Sequence, residues 1–281
     1  MLTRDLGLAL QLILPHRLLS RLVYWAVRWR FKPWKNLLIA WISKVYGIDL
    51  QQAASSDLDD YPHFNAFFTR ALRADARPLD LTPGALLSPA DGRISQLGRI
   101  EQGRILQAKG MDYSAAELLG DAAEATAFHD GEFVTIYLSP RDYHRVHMPR
   151  SGRVRKTIHV PGRLFSVAPW TTEAVPRLFA RNERLSILIE TEHGPMAVVL
   201  VGAILVSSIE TVFAGLHTPP YADHITTREY TPAPNLELAA GAELGRFNMG
   251  STVILLLPKG GAEWVTGLKP DSPVRMGERL G

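Results

Sequence analysis

The sequence contains no cysteine. This excludes a disulfide framework, a thiolate nucleophile and any zinc or iron-sulfur site built on thiolates, and it favours the cytoplasm. Long apolar runs are also missing. A membrane-crossing helix needs about 20 consecutive apolar residues, whereas the longest charge-free apolar stretch, Leu6 to Leu14, is followed by Pro15, His16 and Arg17. A spanning helix is therefore not expected. A secretory signal peptide fits no better, because no small-residue cleavage site comes after it and arginine and tryptophan continue to Lys44. There is no internal repeat and no low-complexity tract. The chain that remains has 281 residues, 46% hydrophobic and 21% charged. That composition rules out disorder or collagen and supplies enough apolar surface for a real core, as one large domain or two small ones.

The net charge of +3 conceals an asymmetry. Residues 1–50 hold eight basic side chains (Arg4, Arg17, Arg21, Arg28, Arg30, Lys32, Lys35, Lys44) against two acidic ones, Asp5 and Asp49, while the rest of the chain is slightly acidic. Four of the six tryptophans, Trp25, Trp29, Trp34 and Trp41, lie in the same segment. On a helical wheel Arg17, Arg21 and Arg28 cluster, and Leu18, Leu19, Leu22, Val23, Ala26 and Val27 fill the opposite half, with Trp25 and Trp29 near one border. The spacing predicts a strongly amphipathic helix over about residues 16–30. It suits an anionic membrane surface, where indoles sit in the headgroup layer and basic side chains meet lipid phosphates. The plainer alternative is a helical hairpin packed on the protein's own core. Nucleic acid is not expected, since no binding motif accompanies the charge.

Further on, Phe64, Phe67, Phe68 and Leu72 recur at helical spacing, with Asp59 and Asp60 available to cap the start. Residues 74–87, with two prolines and a glycine, read as an extended connector. Beyond it the pattern turns to short Val, Ile and Leu-rich strands near residues 94–100, 105–109, 133–138, 154–160, 185–191, 196–206 and 252–257. His193-Gly194-Pro195 marks a hairpin, and residues 115–127 and 174–182 read as helical insertions. The expected fold class is α+β: a mainly antiparallel β core, barrel-like or sandwich-like, with an N-terminal amphipathic helical appendage. The expected division is a helical membrane-association region, 1–57, and a catalytic β-rich domain, 58–281.

Three polar clusters stand out. Ser88-Pro89-Ala90-Asp91-Gly92 precedes a strand, and an aspartate in such a turn usually serves the turn itself. Arg141-Asp142-Tyr143-His144-Arg145-Val146-His147-Met148-Pro149 carries two histidines three apart. They suit a general base with a neighbour or, with Asp91 as third ligand, a metal-dependent hydrolase. Phe247-Asn248-Met249-Gly250-Ser251-Thr252 leads into an apolar run, and glycine there tolerates backbone angles that other residues do not.

Together and in this order, the clusters resemble those of the bacterial phosphatidylserine decarboxylase proenzymes. The resemblance runs through FNAFFTRALRADARPLD, SPADGRISQLG, ILQAKGMDYS, TIYLSPRDYHRVHMP, VPGRLFSV, LFARNERL, VGAILVSSIETVFAG and GRFNMGSTVILLLP. YHRVHMP and Gly-Ser-Thr are its most specific parts. Met249 stands where the familiar bacterial form has leucine, a near-isosteric apolar change compatible with processing.

The resemblance implies that the chain makes its own cofactor. Ser251 would attack the Gly250 carbonyl, and elimination and hydrolysis would leave a covalent pyruvoyl group (pyruvate) on residue 251. The cut would give a β chain, 1–250, and an α chain, 251–281, held as a heterodimer, with further dimerisation open. The family assigns the base to His147, oriented by Asp91, so that Asp91, His147 and Ser251 form the self-cleavage triad. His144 is implied in decarboxylation and proton handling, and Ser166 in contact with the headgroup. The lipid's amine would form a Schiff base with the pyruvoyl ketone, releasing CO2 and leaving phosphatidylethanolamine. No metal and no pyridoxal phosphate are implied; Lys109 has no phosphate-binding glycine loop nearby. The implied location is peripheral, at the cytoplasmic side of the cell membrane.

Overall fold

The apolar run Val253–Leu257 is the key to the architecture, because a strand hydrophobic at every position is one buried on both faces. In the computed structural model, which describes residues 7, 11, 13–204, 208–218, 223–230, 236–248 and 251–281, this run lies in the middle of the largest sheet. Most of the stretch Leu6–Leu14, together with Met249 and Gly250, falls outside the described residues.

Helix α1 (His16–Arg28) and helix α2 (Lys32–Tyr46) come first. Pro33 sits in the first turn of α2, where its missing N–H is not needed, and Gly47 ends the helix in the left-handed region at φ +65°. Residues 58–72 do not form a single helix. Pro62 restrains Tyr61 to an extended conformation, leaving a 3-10 turn, Leu58–Asp60, and a five-residue helix α3 (Phe64–Phe68). The caps are Asp57 and the His63 ring, rather than Asp59 or Asp60; Asp59 instead pairs with Lys32 at 2.7 Å.

Fifteen strands succeed the helices: β1 (Gly92–Arg99), β2 (Arg104–Ala108), β3 (Met111–Ser114), β4 (Glu132–Leu138), β5 (Arg145–His147), β6 (Gly152–Val160), β7 (Arg184–Thr191), β8 (Gly194–Val201), β9 (Ser208–Thr211), β10 (Gly215–Thr218), β11 (Thr226–Glu229), β12 (Glu237–Leu238), β13 (Glu243–Asn248), β14 (Ser251–Leu257) and β15 (Pro273–Val274). The large sheet runs β11-β6-β7-β8-β14-β4-β1-β15, with β12 also on β6, and it does not close into a barrel. A four-stranded sheet, β10-β9-β13-β5, and the hairpin β2-β3 complete the set. All pairings between these strands are antiparallel, as expected, and the arrangement is sandwich-like. Glu192-His193 forms the tight β7-β8 turn, with Gly194 at φ +95°. The insertion at 115–127 breaks at Gly120, φ +76°, into two short helices and a 3-10 turn.

The large sheet separates two cores. Ile254 and Leu256 face one, with Phe128, Phe133, Phe165 and Phe179. Val253, Leu255 and Leu257 face the other, where Val146, Ile209, Leu244 and Phe247 of the smaller sheet close over them. A third cluster joins Val27, Ile39 and Ile42 of α1 and α2 to Tyr61, Phe64, Phe67 and Phe68. The apolar half of α1 is thereby split in two. Val27 turns inward, while Leu18, Leu22, Trp25 and Trp29 form an exposed stripe.

Leu255 is fully buried, so Leu255→Ala leaves a cavity that the two flanking strands cannot collapse. The expected loss is about 3 kcal/mol in chemical denaturation; a loss below about 1 kcal/mol would mean that this strand is not central to the core.

Candidate active site

Ser251 opens β14 and lies in register with Leu138, the last residue of β4. From Leu138 the chain turns through residues 139–142, where the Asp142 carboxylate accepts the Ser139 N–H and hydroxyl, each at 2.7 Å. This turn delivers Tyr143 and His144 directly before β5. Strand β5 pairs with β13, and β13 ends at Asn248, two residues short of Gly250. The start of β5 and the end of β13 therefore lie side by side, and the Phe247 N–H donates to the His144 carbonyl at 3.0 Å. The flank at Asn248 is anchored. Its amide donates to Ser208 and accepts from Asn65 at 2.7 Å, and Arg28 of α1 donates to the Ser208 hydroxyl at 2.9 Å.

Ser251 is fully buried, and its Oγ has no hydrogen-bond partner among the described residues. Leaving a hydroxyl buried and unpaired is costly, of order 1–3 kcal/mol, and such groups concentrate where chemistry is done. His144 is equally enclosed. Its Nδ1–H donates to the Asp142 carbonyl at 2.8 Å, its Nε2 is unpartnered, and its ring lies 4.2 Å from that of Phe68. Burial pushes its pKa down to about 3, so the ring is neutral with an available lone pair at Nε2. His147 is oriented at both nitrogens. Nδ1–H donates to the Gly241 carbonyl at 2.8 Å, and Nε2 accepts from the Tyr143 hydroxyl at 3.0 Å. Burial lowers the His147 pKa and raises that of Tyr143 to about 12, so both are neutral near pH 7. His147 thus carries its lone pair on Nε2, the tautomer a general base requires.

Asp91 and His147 share no hydrogen bond. The Asp91 carboxylate accepts from the Arg77 guanidinium, with Nε at 2.9 and 3.1 Å from the two oxygens, and from the Met276 N–H at 2.9 Å. It reaches His147 in two other ways. Its charge favours the protonated ring, and the same turn holds the strand through the His147 N–H, which donates to the Pro89 carbonyl at 2.8 Å. Arg77 also donates to Gln52 at 2.8 Å, which ties the connector to the segment after α2. Ser166 lies apart from this network. Its N–H donates to Gln11 at 2.8 Å, and the neighbouring Phe165 ring meets His16 edge-on.

Tyr143, Arg77 and the Gly241 carbonyl are not among the candidates that the sequence singles out. Tyr143 sits inside the YHRVHMP block, and Arg77 inside RADARPLD, so the blocks themselves carried the signal. Among the described residues no group of three His, Asp or Glu side chains is arranged to hold a metal, and Asp91 is committed to Arg77. The metal-hydrolase alternative gains no support.

A β-rich fold with a buried serine at the head of its central strand, and two neutral histidines on the segment that follows β4, is that of an enzyme with serine and histidine chemistry at hand. The family model described as Phosphatidylserine decarboxylase matches residues 64–281, and one described as PSD matches residues 6–47. The chain belongs to the phosphatidylserine decarboxylase family. It is 57% identical over 273 residues to a protein of Ectopseudomonas mendocina (strain ymp) named phosphatidylserine decarboxylase proenzyme, covering 96% of each chain. A protein of the same name from Pseudomonas fluorescens (strain SBW25) is 54% identical over 280 residues, 99% of this chain and 98% of that one.

The unfolded chain protonates His144 near its ordinary value of 6.5, while the folded chain resists until about 3. The unfolded state therefore binds the proton first, and stability falls as the pH drops from 6.5 toward 3. The urea midpoint should fall between about pH 7 and about pH 4.5, and it should fall less in His144→Gln. Equal falls in both proteins would show that His144 is not held neutral.

Proposed function

We propose that the protein is a self-processing phosphatidylserine decarboxylase that yields phosphatidylethanolamine and CO2 at the cytoplasmic face of the cell membrane. Family membership supports the reaction. The observation that carries the mechanism is the buried, unpartnered Ser251 Oγ at the head of β14.

A serine hydroxyl is a weak nucleophile near pH 7 and needs a base. His147, neutral with its lone pair on Nε2, takes that role, and the Tyr143 hydroxyl now on Nε2 must yield to the serine or pass its proton. Asp91 steadies the imidazolium that forms, by its charge and through the Pro89 bond. Ser251 Oγ attacks the Gly250 carbonyl and the amide becomes an ester. Elimination then releases the Gly250 carboxylate, and hydrolysis of the new end releases ammonia and leaves pyruvoyl at residue 251. The site fits that group, because β14 is paired on both sides from its first residues and holds the new terminus in place. A pyruvoyl ketone supplies an electrophile for the lipid's primary amine and a sink for the electron pair freed as CO2 leaves. His144 Nε2 returns the proton, in surroundings that Phe68 helps keep dry. Ser166 contacts the headgroup from the side of α1.

The stripe Leu18, Leu22, Trp25, Trp29 and the exposed Leu37, Trp41 and Val45 of α2 form the membrane face, flanked by the exposed basic residues Arg17, Arg21, Lys32 and Lys44. No described helix is long and apolar enough to cross a membrane. Residues 1–57 act as the membrane-association region and 58–281 as the catalytic domain.

Wild-type protein should resolve under denaturing conditions into chains 1–250 and 251–281, which co-migrate in native buffer. Ser251→Ala, His147→Ala and Asp91→Ala should each stay as one chain. His144→Ala should cleave yet lose at least about a hundredfold in kcat; failure of His144→Ala to cleave would exchange the two histidine roles. Trp25→Ser combined with Trp41→Ser should weaken binding to anionic vesicles roughly tenfold or more, and unchanged binding would remove the membrane face from the account.

A further inference from the structure

A cavity of about 600 Å³ opens between the C-terminal end of α2 and the wall that carries Asp91 and Tyr143. Five arginines and three aspartates line it, but the aspartates are already engaged. Asp91 holds Arg77 and the Met276 N–H, Asp142 holds Ser139, and Asp49 accepts from Gln51 and Gln52. Arg70 is different from the other cations. It is 5% exposed, its side chain makes no hydrogen bond or ion pair among the described residues, and its Nε is completely enclosed. Its guanidinium lies 5.3 Å from the Phe67 ring centroid. Asp91 and Asp49 act on it through charge alone, without a bond, and a buried guanidinium whose N–H donors go unfilled is costly, so this geometry suits an incoming anion. The planar fork of arginine matches a phosphate or carboxylate through two parallel bonds.

Two further observations select the anion. The rim of the cavity includes Val45 and Tyr46, which continue the exposed apolar residues Leu37 and Trp41 along α2. An anion arriving by that route is attached to an apolar body. Arg70 also lies close enough to His144 to disfavour its protonated form. A substrate carboxylate held by an arginine would be stabilised before it leaves as CO2, which opposes the reaction, whereas a phosphodiester persists unchanged from substrate to product. We infer that Arg70 and the cavity around it bind the phosphodiester of a glycerophospholipid and orient its headgroup toward His144 and Ser251. This deepens the decarboxylase reading and rests on it for the identity of the lipid.

The test uses mature wild-type protein, Arg70→Lys and Arg70→Met, with cleavage into two chains as the check on folding. Binding of glycerol 3-phosphate and of inorganic phosphate is measured by calorimetry, and turnover is measured with dihexanoyl phosphatidylserine. Arg70→Met should abolish glycerol 3-phosphate binding and raise KM by about tenfold or more while changing kcat by less than about threefold. Arg70→Lys, which keeps the charge but loses the fork, should fall between. Glycerol 3-phosphate binding that depends on Arg70, in a wild type without turnover, would uphold the site and defeat the decarboxylase reading. Normal turnover with KM and binding unmoved in Arg70→Met would defeat the site and leave that reading standing. Inorganic phosphate bound through Arg70 with an unchanged lipid KM would assign the cavity to a soluble anion and overturn the lipid proposal. So would an effect confined to kcat, or failure of both variants to cleave.

Discussion

Strand β14 constrains everything around it. It is paired to β8 on one side and β4 on the other, its seven residues are buried, and its side chains feed two separate cores. A residue at the head of such a strand cannot drift. Ser251 is therefore presented with its hydroxyl enclosed and unpaired, opposite the turn that supplies Tyr143 and His144. The same pairing would hold together a chain cut at 250/251, as proposed. Residues 251–281 would keep the two-sided ladder and also the bonds that tie the connector to the C-terminal tail, from the Leu280 N–H to the Leu86 carbonyl at 2.7 Å and from the Leu86 N–H to the Gly281 carbonyl at 2.8 Å.

Around this anchor, burial sets the protonation states and charge is placed at one remove. His144, His147 and Tyr143 are all neutral because desolvation outweighs their other interactions. Of the carboxylates near them, Glu243 pairs with Arg145 at 2.8 Å and Asp91 is balanced by Arg77 at the edge of the site. An ion pair with both side chains 9% exposed is expensive to desolvate and weak evidence for stability; its use here is to fix the PADG turn from which Pro89 holds His147. The helices complete the arrangement. Arg28, the last residue of α1, reaches Ser208, and Ser208 holds Asn248, so α1 is connected by side-chain bonds to the end of β13.

Much of this is legible in the chain itself. The Val, Ile and Leu content locates β1, β2, β4, β6, β7, β8 and β14; β4, β7, β8 and β14 are apolar enough to declare their burial, while β1 and β2 bury only part of their length. Strands such as β11, four exposed residues Thr226–Glu229, are not legible, because their pairing is decided by the partner strand and not by their own pattern. The site motifs point to Asp91, His144, His147 and Ser251, but not to what holds them. Arg77 lies in a connector without helix or strand, and its ion pair depends on where the PADG turn comes to rest. Arg70 sits just after an aromatic helix, where an arginine ordinarily marks a solvated face, and only the fold shows it buried. The wheel of α1 is amphipathic on sequence alone, yet which apolar residues turn inward depends on α3, a helix that Pro62 shortens to five residues.

The central claim is that Ser251 becomes the reactive end of its own chain. Its most direct test is the intact mass of chain 251–281 from freshly purified wild-type protein under denaturing conditions. The account predicts a chain lighter than the serine-initiated peptide by one ammonia, as a pyruvoyl terminus requires. A chain of that length still beginning with serine, or a single uncut chain of 281 residues in a preparation that decarboxylates phosphatidylserine, would contradict it.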